Sequence, residues 1–158
     1  MKFFTISELI KSDTAIWMKV WNGANREQED NLIALVDNVL DPARIAYGKP
    51  IKVESGFRSE RVNAAIPNAS RNSQHLKGEA ADIKTSAGAA GNLEVAKIII
   101  RLGKFDQLIL EEVQGKSLAP QWVHVSWKRN GENRHEIRKH VKGTGNLYPV
   151  VTKKELGL

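Results

Sequence analysis

Two histidines and one aspartate are the residues of this chain whose types and spacing could bind a metal ion. His75 and Asp82 share one short polar segment, and His124 lies in the later segment WVHVS. Together they can give a zinc ion three nitrogen and oxygen ligands and leave its fourth tetrahedral position to water. An open position of this kind is typical of a catalytic zinc, so the pattern predicts hydrolysis by a metal-activated water.

The elements around these residues must bring the three side chains to one point. Because side chains alternate along a strand, the segment 122–127 should have a cleft face and a core face. The cleft face holds Trp122, His124 and Ser126, and the core face holds Val123, Val125 and Trp127. Gly78, between His75 and Asp82, permits the turn that would join the two ligands.

Asp82 is expected to be buried, because it follows two alanines and precedes Ile83. An unpaired carboxylate in the protein interior costs on the order of several kcal/mol. Its charge must therefore be compensated, either by a metal ion or by an arginine such as Arg58 or Arg61.

The composition is that of an ordinary globular protein, with 41% apolar and 27% charged residues in a chain of 158. We expect one domain over residues 1–158. There is no cysteine, which excludes thiolate metal sites, thiol catalysis and disulfide bonds. The net charge of +6 suits an anionic partner such as nucleic acid, phospholipid or an acidic cell-wall polymer, unless the basic residues form only a solvated face.

No apolar run reaches the ~18 residues that a membrane span needs. Glu8, Lys11 and Asp13 interrupt the N-terminal segment, so it lacks the apolar region of a secretory signal peptide. We therefore expect a protein that is made in the cytoplasm and does not insert into a membrane.

The pattern of apolar, capping and turn residues predicts helices in the first half of the chain and mostly strands later, an α+β fold with an antiparallel sheet. The predicted helices begin at Thr5 and cover 26–47 (with a break at Asp41-Pro42), 59–65 and 93–102, the last capped by Asn92 and ended by Gly103. The predicted strands are 51–53, 79–83, 105–111 and 121–127, with a further strand pair around 136–137 and 148–151.

Three segments resemble the M15 zinc peptidases, which include D-Ala-D-Ala carboxypeptidases, dipeptidases and some phage endolysins. They are SGFRS at 55–59, S-x-H-x-x-G-x-A-x-D at 73–82 and WVHV at 122–125. The likeness runs from about Phe4 to Trp127 and is greatest to the small M15A-type members. It implies a hedgehog/DD-peptidase-like fold, in which helices pack on a central antiparallel sheet that carries a zinc cleft.

The resemblance also implies roles for individual residues. His75, Asp82 and His124 would bind Zn²⁺. Arg58 would lie near the substrate, where its guanidinium can bind a peptide carboxylate or carbonyl. Ser73 matches a family serine that binds substrate or orients His75, and its alternative is a serine that only caps a loop.

The general base is the point at which the chain departs from the family pattern. Many relatives carry a glutamate three residues before the last histidine, where this chain has Gln121; a glutamine can contact substrate but cannot accept a proton. Strand alternation lets only one of Glu111 and Glu112 face the metal, and we predict Glu111, because small relatives commonly end this strand with a glutamate there. His135 and His140 are the further alternatives.

These roles predict a monomeric peptidase that cleaves peptidoglycan stem peptides, as a D-Ala-D-Ala carboxypeptidase or as an endolysin-type endopeptidase released in phage-type lysis. No nucleic-acid partner is expected. One alternative is a cell-wall binding module that binds metal without turnover, which Gln121 favours. The other is a basic nucleic-acid-binding domain, favoured by the net charge together with Trp122 and Trp127.

Overall fold

The computed structural model describes residues 1–158 and shows the predicted α+β class, with helices packed on one five-stranded sheet. The α-helices are α1 (Ile6–Ile10), α2 (Asp13–Met18), α3 (Arg26–Leu35), α4 (Asp41–Tyr47), α5 (Glu60–Ala65) and α6 (Gly88–Leu102). The strands are β1 (Lys52–Ser55), β2 (Ala80–Lys84), β3 (Gln107–Val113), β4 (Trp122–Ser126) and β5 (Glu136–Val141). Shorter helical elements are a π-helical segment (Val36–Leu40) and two 3₁₀ turns (Gln74–Lys77 and Lys154–Leu156).

The sheet has the strand order β1-β2-β4-β3-β5. Its first four strands pair antiparallel, as predicted. The fifth does not, because β5 runs parallel to β3, so the sheet is mixed.

The path of the chain at the start of β3 explains this parallel pairing. The end of β4 lies beside the start of β3, where the Asp106 N–H donates to the Ser126 carbonyl. From there the chain passes the start of β3, and the Glu136 N–H donates to the Asp106 carbonyl on the other side. The connection therefore reaches the far edge of β3 without a helical crossover, and β5 then runs in the direction of β3.

The helix over 26–47 is continuous, which corrects the predicted break at Asp41-Pro42. The Asp41 N–H donates to the Val36 carbonyl, five residues back, in the π-helical segment between α3 and α4. Proline lacks an N–H, and its ring clashes with the carbonyl four residues earlier in a regular α-helix. We infer that the wider π turn accommodates this clash. Pro42 does lie in the first turn of α4, as predicted.

Helix α6 begins earlier than the sequence indicated. Asn92 does not cap it but lies inside it, where its buried side chain accepts from the Thr85 N–H and donates to the carbonyls of Pro120 and Gln121. Gly103 ends the helix in the left-handed conformation (φ 72°), as predicted. Around 148–151 the only strand-like pairing is a single bridge between Arg138 and Val150.

The hydrophobic core lies between the helices and one face of the sheet. Val123 and Val125 are fully buried in it and Trp127 packs against its edge, so the predicted core face of β4 is confirmed. Ser126 shares the opposite face but is also fully buried, and its hydroxyl accepts from the Gln107 N–H. The expectation that it lines a cleft is therefore wrong. No helix has the length and apolar character needed to cross a membrane.

Candidate metal centre

The side chains of His75, Asp82 and His124 meet on the sheet face opposite the core. Asp82 Oδ1 lies 3.0 Å from His124 Nδ1 and 3.3 Å from His75 Nε2, and the two nitrogens are 3.3 Å apart. The three atoms thus form a nearly equilateral triangle. The sequence prediction that these residues come together is borne out by their positions.

Backbone pairing fixes two corners of this triangle. Strands β2 and β4 are neighbours in the middle of the sheet, and Asp82 lies directly opposite His124. Paired residues of antiparallel strands project to the same face, with Cβ atoms about 4.5–5.5 Å apart. The aspartate and the histidine are therefore brought together by strand register.

His75 reaches the same point from the 3₁₀ turn that precedes β2. Gly78 ends this turn with φ 72°, a conformation that favours glycine. A Cβ atom there would lie only 2.4 Å from the Gln28 carbonyl oxygen. Gly78 therefore serves the predicted turn and also allows close approach of the backbone of α3.

The orientation of the His75 ring is fixed by the backbone of residue 56. His75 Nδ1 lies 2.6 Å from the Gly56 carbonyl oxygen, to which it can donate only if it carries the proton. The other nitrogen, Nε2, then presents its lone pair to Asp82 and His124. Such a bond from the outer nitrogen is the usual arrangement around a metal-binding histidine.

Arg58 neutralises the far side of Asp82. Its Nη2 lies 2.6 Å from Asp82 Oδ2, and its Nε donates to the Ser55 hydroxyl. The ion pair between Arg58 and Asp82, one of the two compensations expected from the sequence, is thus present. Nη1 makes no hydrogen bond within the protein. The contact of Arg58 with substrate stays a prediction, and Nη1 is the nitrogen that could make it.

Burial and charge give two of the ligands the protonation states that a metal needs. Burial lowers the pKa of His75 and so favours the neutral ring. Burial alone would raise the pKa of Asp82, but its contacts with His75 and His124 hold that pKa well below its usual range. Metal ligands must be deprotonated, so both groups suit the role.

The donor set fits a zinc ion. Bonds of about 2.0–2.1 Å in a tetrahedron place neighbouring ligand atoms about 3.3–3.4 Å apart. The three separations in the triangle are 3.0, 3.3 and 3.3 Å. Little movement is needed to close them on an ion, and two imidazoles with one carboxylate are ligands that zinc accepts.

Two glutamates lie at the β-bulge that ends β3. Glu111 lies opposite Trp122 and therefore on the face that carries His124. Pairing with β5 shifts between Leu110 and Val113, and Glu112 within this shift has a left-handed backbone (φ 49°). Glu112 lines a cavity beside Asp82. The expectation that only one of the two glutamates faces the metal, with Glu111 preferred, stays a prediction.

The other residues singled out in the sequence lie in four different surroundings. Ser73 caps the 3₁₀ turn, where its hydroxyl accepts from the His75 N–H. Gln121 lines the cavity beside Asp82. His135 stacks edge-on against Phe105 at the start of β5. His140, at the other end of β5, lies 3.4 Å from Glu111 Oε2 through Nδ1.

Asp106 is a structural residue that the sequence prediction missed. Its fully buried carboxylate accepts from the backbone and guanidinium of Arg134 and from the side-chain amide of Gln74, the neighbour of His75. Burial alone would raise the pKa of Asp106, but the hydrogen bonds and charge of Arg134 lower it to about 2. An aspartate at the start of an apolar strand was the available signal for such a pairing.

The comparison with protein families gives a match. A model of the family described as Peptidase M15 matches residues 2–126 of this chain. The matched range contains the three residues of the triangle, Arg58 and Glu111, and it ends with β4. A comparison with curated proteins finds no match.

Proposed function

This chain belongs to the peptidase M15 family, and on that premise we propose that it is a zinc-dependent peptidase that cleaves the stem peptides of peptidoglycan. The observation that carries the proposal is the triangle formed by His75 Nε2, Asp82 Oδ1 and His124 Nδ1, whose sides are 3.0–3.3 Å. The three side chains are mostly buried, with 3–12% of their surfaces exposed, and a site with three protein ligands leaves the fourth position of a zinc ion to water.

A bound zinc would polarise the scissile carbonyl and lower the pKa of a water molecule to about 7. The proton of that water must be accepted by the protein. Glu111 lies on the same face as His124, and a carboxylate there can accept the proton at Oε and return it to the leaving amine. Burial raises the pKa of Glu111 and so brings it closer to neutral pH, as suits a group that both accepts and donates.

Arg58 has two tasks in this proposal. Its Nη2 holds Asp82 in position from the side away from the histidines. Its Nη1, which has no partner in the protein, is available to a carboxylate or carbonyl oxygen of the peptide.

The cavity beside Asp82 offers one lysine that could contact a carboxylate of a peptide. It has a volume of about 450 Å³, and its lining includes Lys84, Trp122 and Lys142. Lys84 is paired with Glu54 at 3.0 Å, whereas the ammonium of Lys142 forms no ion pair. The lining also carries the carboxylates of Glu54, Asp82 and Glu112. Lys142 is therefore the single group of this cavity that we propose as a contact for a free carboxylate of a stem peptide.

The test combines metal content with peptide cleavage. The purified protein and a His124→Ala variant are analysed for zinc and then incubated with peptidoglycan stem peptides, and the release of new amines is measured. We expect one zinc per chain and cleavage in the protein, and loss of both in the variant. His135→Ala is the matched control, because this exposed histidine lies at the start of β5, and it should keep both.

Two outcomes would contradict the proposal. A protein without zinc would remove the basis of the reaction. Zinc without new amines would leave a metal-binding module that does not cleave these peptides.

A further inference from the structure

Glu111 faces a histidine that the peptidase mechanism above does not use. His140 Nδ1 lies 3.4 Å from Glu111 Oε2, and both side chains are mostly covered, with 15% and 12% of their surfaces exposed. The contact is that of an ion pair, slightly longer than a hydrogen bond. Such contacts commonly shorten when substrate binds.

The His140 ring is held in one orientation by two further contacts. Its Nε2 lies 2.8 Å from the Gly145 carbonyl oxygen, which accepts a hydrogen bond only if Nε2 carries the proton. Tyr148 stacks on the ring, with centroids 5.0 Å apart and planes inclined by 23°. The Tyr148 backbone is itself held, because its carbonyl accepts from Arg138 Nη1. Nδ1 is therefore directed at Glu111.

We propose that His140 is a positioning residue for Glu111, which orients the Glu111 carboxyl and shares one proton with it during peptide cleavage. The inference depends on the function proposed above, in which Glu111 is the general base. It also assigns a part of the site to residues beyond the family match, since β5 and Tyr148 follow residue 126.

The charges around Glu111 show why such a partner is useful. Burial opposes its ionisation most, and the charges of Asp82 and Glu112 oppose it further. His124 and His140 are the groups that favour its ionisation, and His124 is engaged as a metal ligand. Of these two histidines, His140 is the one that lies outside the metal triangle, so apart from the metal itself it is the group positioned to favour the carboxylate form of Glu111.

The first arm of the test is kinetic. His140→Gln keeps a polar side chain but cannot carry a positive charge. We expect kcat on stem peptides to fall about ten-fold, with KM nearly unchanged. The acidic limb of the pH–rate profile should move to higher pH by about one unit, because the loss of a neighbouring cation raises the pKa of Glu111. His135→Gln is the matched control and should leave both readouts unchanged.

The second arm does not depend on peptide cleavage. The nitrogen NMR signals of the His140 ring are followed with pH in the protein and in Glu111→Gln. We expect the signals to show a proton on Nε2 in the neutral ring, which the Gly145 carbonyl accepts. The Nδ1 signal should differ between the protein and the variant, because the carboxylate beside it has been replaced by a neutral amide.

The two arms separate the two proposals. An unchanged kcat and pH profile in His140→Gln, or a His140 signal that does not respond to Glu111→Gln, would overturn the inference. If the protein itself cleaves no stem peptide, the proposed function fails, the catalytic role of His140 falls with it, and the NMR arm alone decides whether the pair exists.

Discussion

Asp82 accepts contacts from three sides with its two carboxylate oxygens. Oδ1 faces His75 and His124, and Oδ2 faces Arg58. A buried carboxylate needs partners at each of its two oxygens, because an unpaired charge in the interior is strongly unfavourable. Arg58 thereby leaves Oδ1 available for a metal and holds it in place.

Replacement of Arg58 should therefore weaken metal binding. We expect Arg58→Ala to lower zinc affinity by about 10–100-fold, the usual effect of losing a residue that orients a metal ligand. Competition with a coloured chelator measures this affinity. Arg61→Ala is the control, because Arg61 is exposed on α5; equal affinities in the two variants would contradict the role of Arg58.

The roles of Glu111 and Glu112, the two glutamates of the β3 bulge, can be distinguished by replacing each of them with glutamine. Glu111→Gln should lower kcat by about 10²–10⁴-fold, because a general base is lost while the three metal ligands stay in place. Glu112→Gln, which changes the cavity beside Asp82, should chiefly affect KM. Steady-state kinetics with zinc content measured on the same samples would decide, and a reversed pattern would assign the base to Glu112.

At the scale of elements, Asp106 connects three parts of the fold. It bonds to Arg134 before β5 and to Gln74 in the turn that carries His75, and it lies beside the start of β3. A pKa lowered from 3.8 to about 2 means that its carboxylate stabilises the folded protein by about 2 kcal/mol. This contribution is complete above about pH 4 and is lost as the pH falls through about 2.

Asp106→Asn should remove this pH dependence. We expect the free energy of unfolding at pH 7 to be lower in the variant by about 2 kcal/mol or more, because Arg134 loses its anionic partner. The variant should therefore unfold at a lower urea concentration. Between about pH 4 and 2 its stability should fall less steeply than that of the parent protein. Urea titrations across this range give the slopes, and parallel slopes would contradict the assignment.

Local pattern predicted most elements and the residues that form the His75–Asp82–His124 triangle, but it did not predict what depends on distant contacts. Alternation correctly separated Val123 and Val125 from His124, since it depends only on strand geometry. The parallel position of β5, the bulge at Glu112 and the π turn before Pro42 have no local signature. Each of them depends on which element the chain pairs with in the sheet, or on packing around a proline. The contact between Glu111 and His140 was not predicted either, because it requires the parallel pairing of β3 with β5.

At the scale of the whole molecule, the net charge of +6 bears on the proposed anionic substrate. Attraction between a basic protein and an acidic wall polymer is long-ranged and is screened by salt. We expect cosedimentation with purified peptidoglycan to fall from roughly 0.1 M to roughly 1 M NaCl, as the Debye length shortens from about 10 to about 3 Å.

A short soluble stem peptide provides the comparison for this experiment. Its cleavage depends on close contacts in the cavity and not on the long-range field, so its KM should change much less with salt. Cosedimentation that is independent of salt would show that net charge does not contribute to wall binding.

The position of β5 after β4 has a consequence for synthesis on the ribosome. Chains begin to fold from the N-terminus as they emerge, and His75, Asp82 and His124 all emerge before His140. Until β5 has been made, β3 is an outer strand and the Glu111 carboxyl has no histidine beside it. A nascent chain would thus complete the His75–Asp82–His124 triangle first and the Glu111–His140 pair only later, so the proposed peptide cleavage would follow the proposed metal binding during translation.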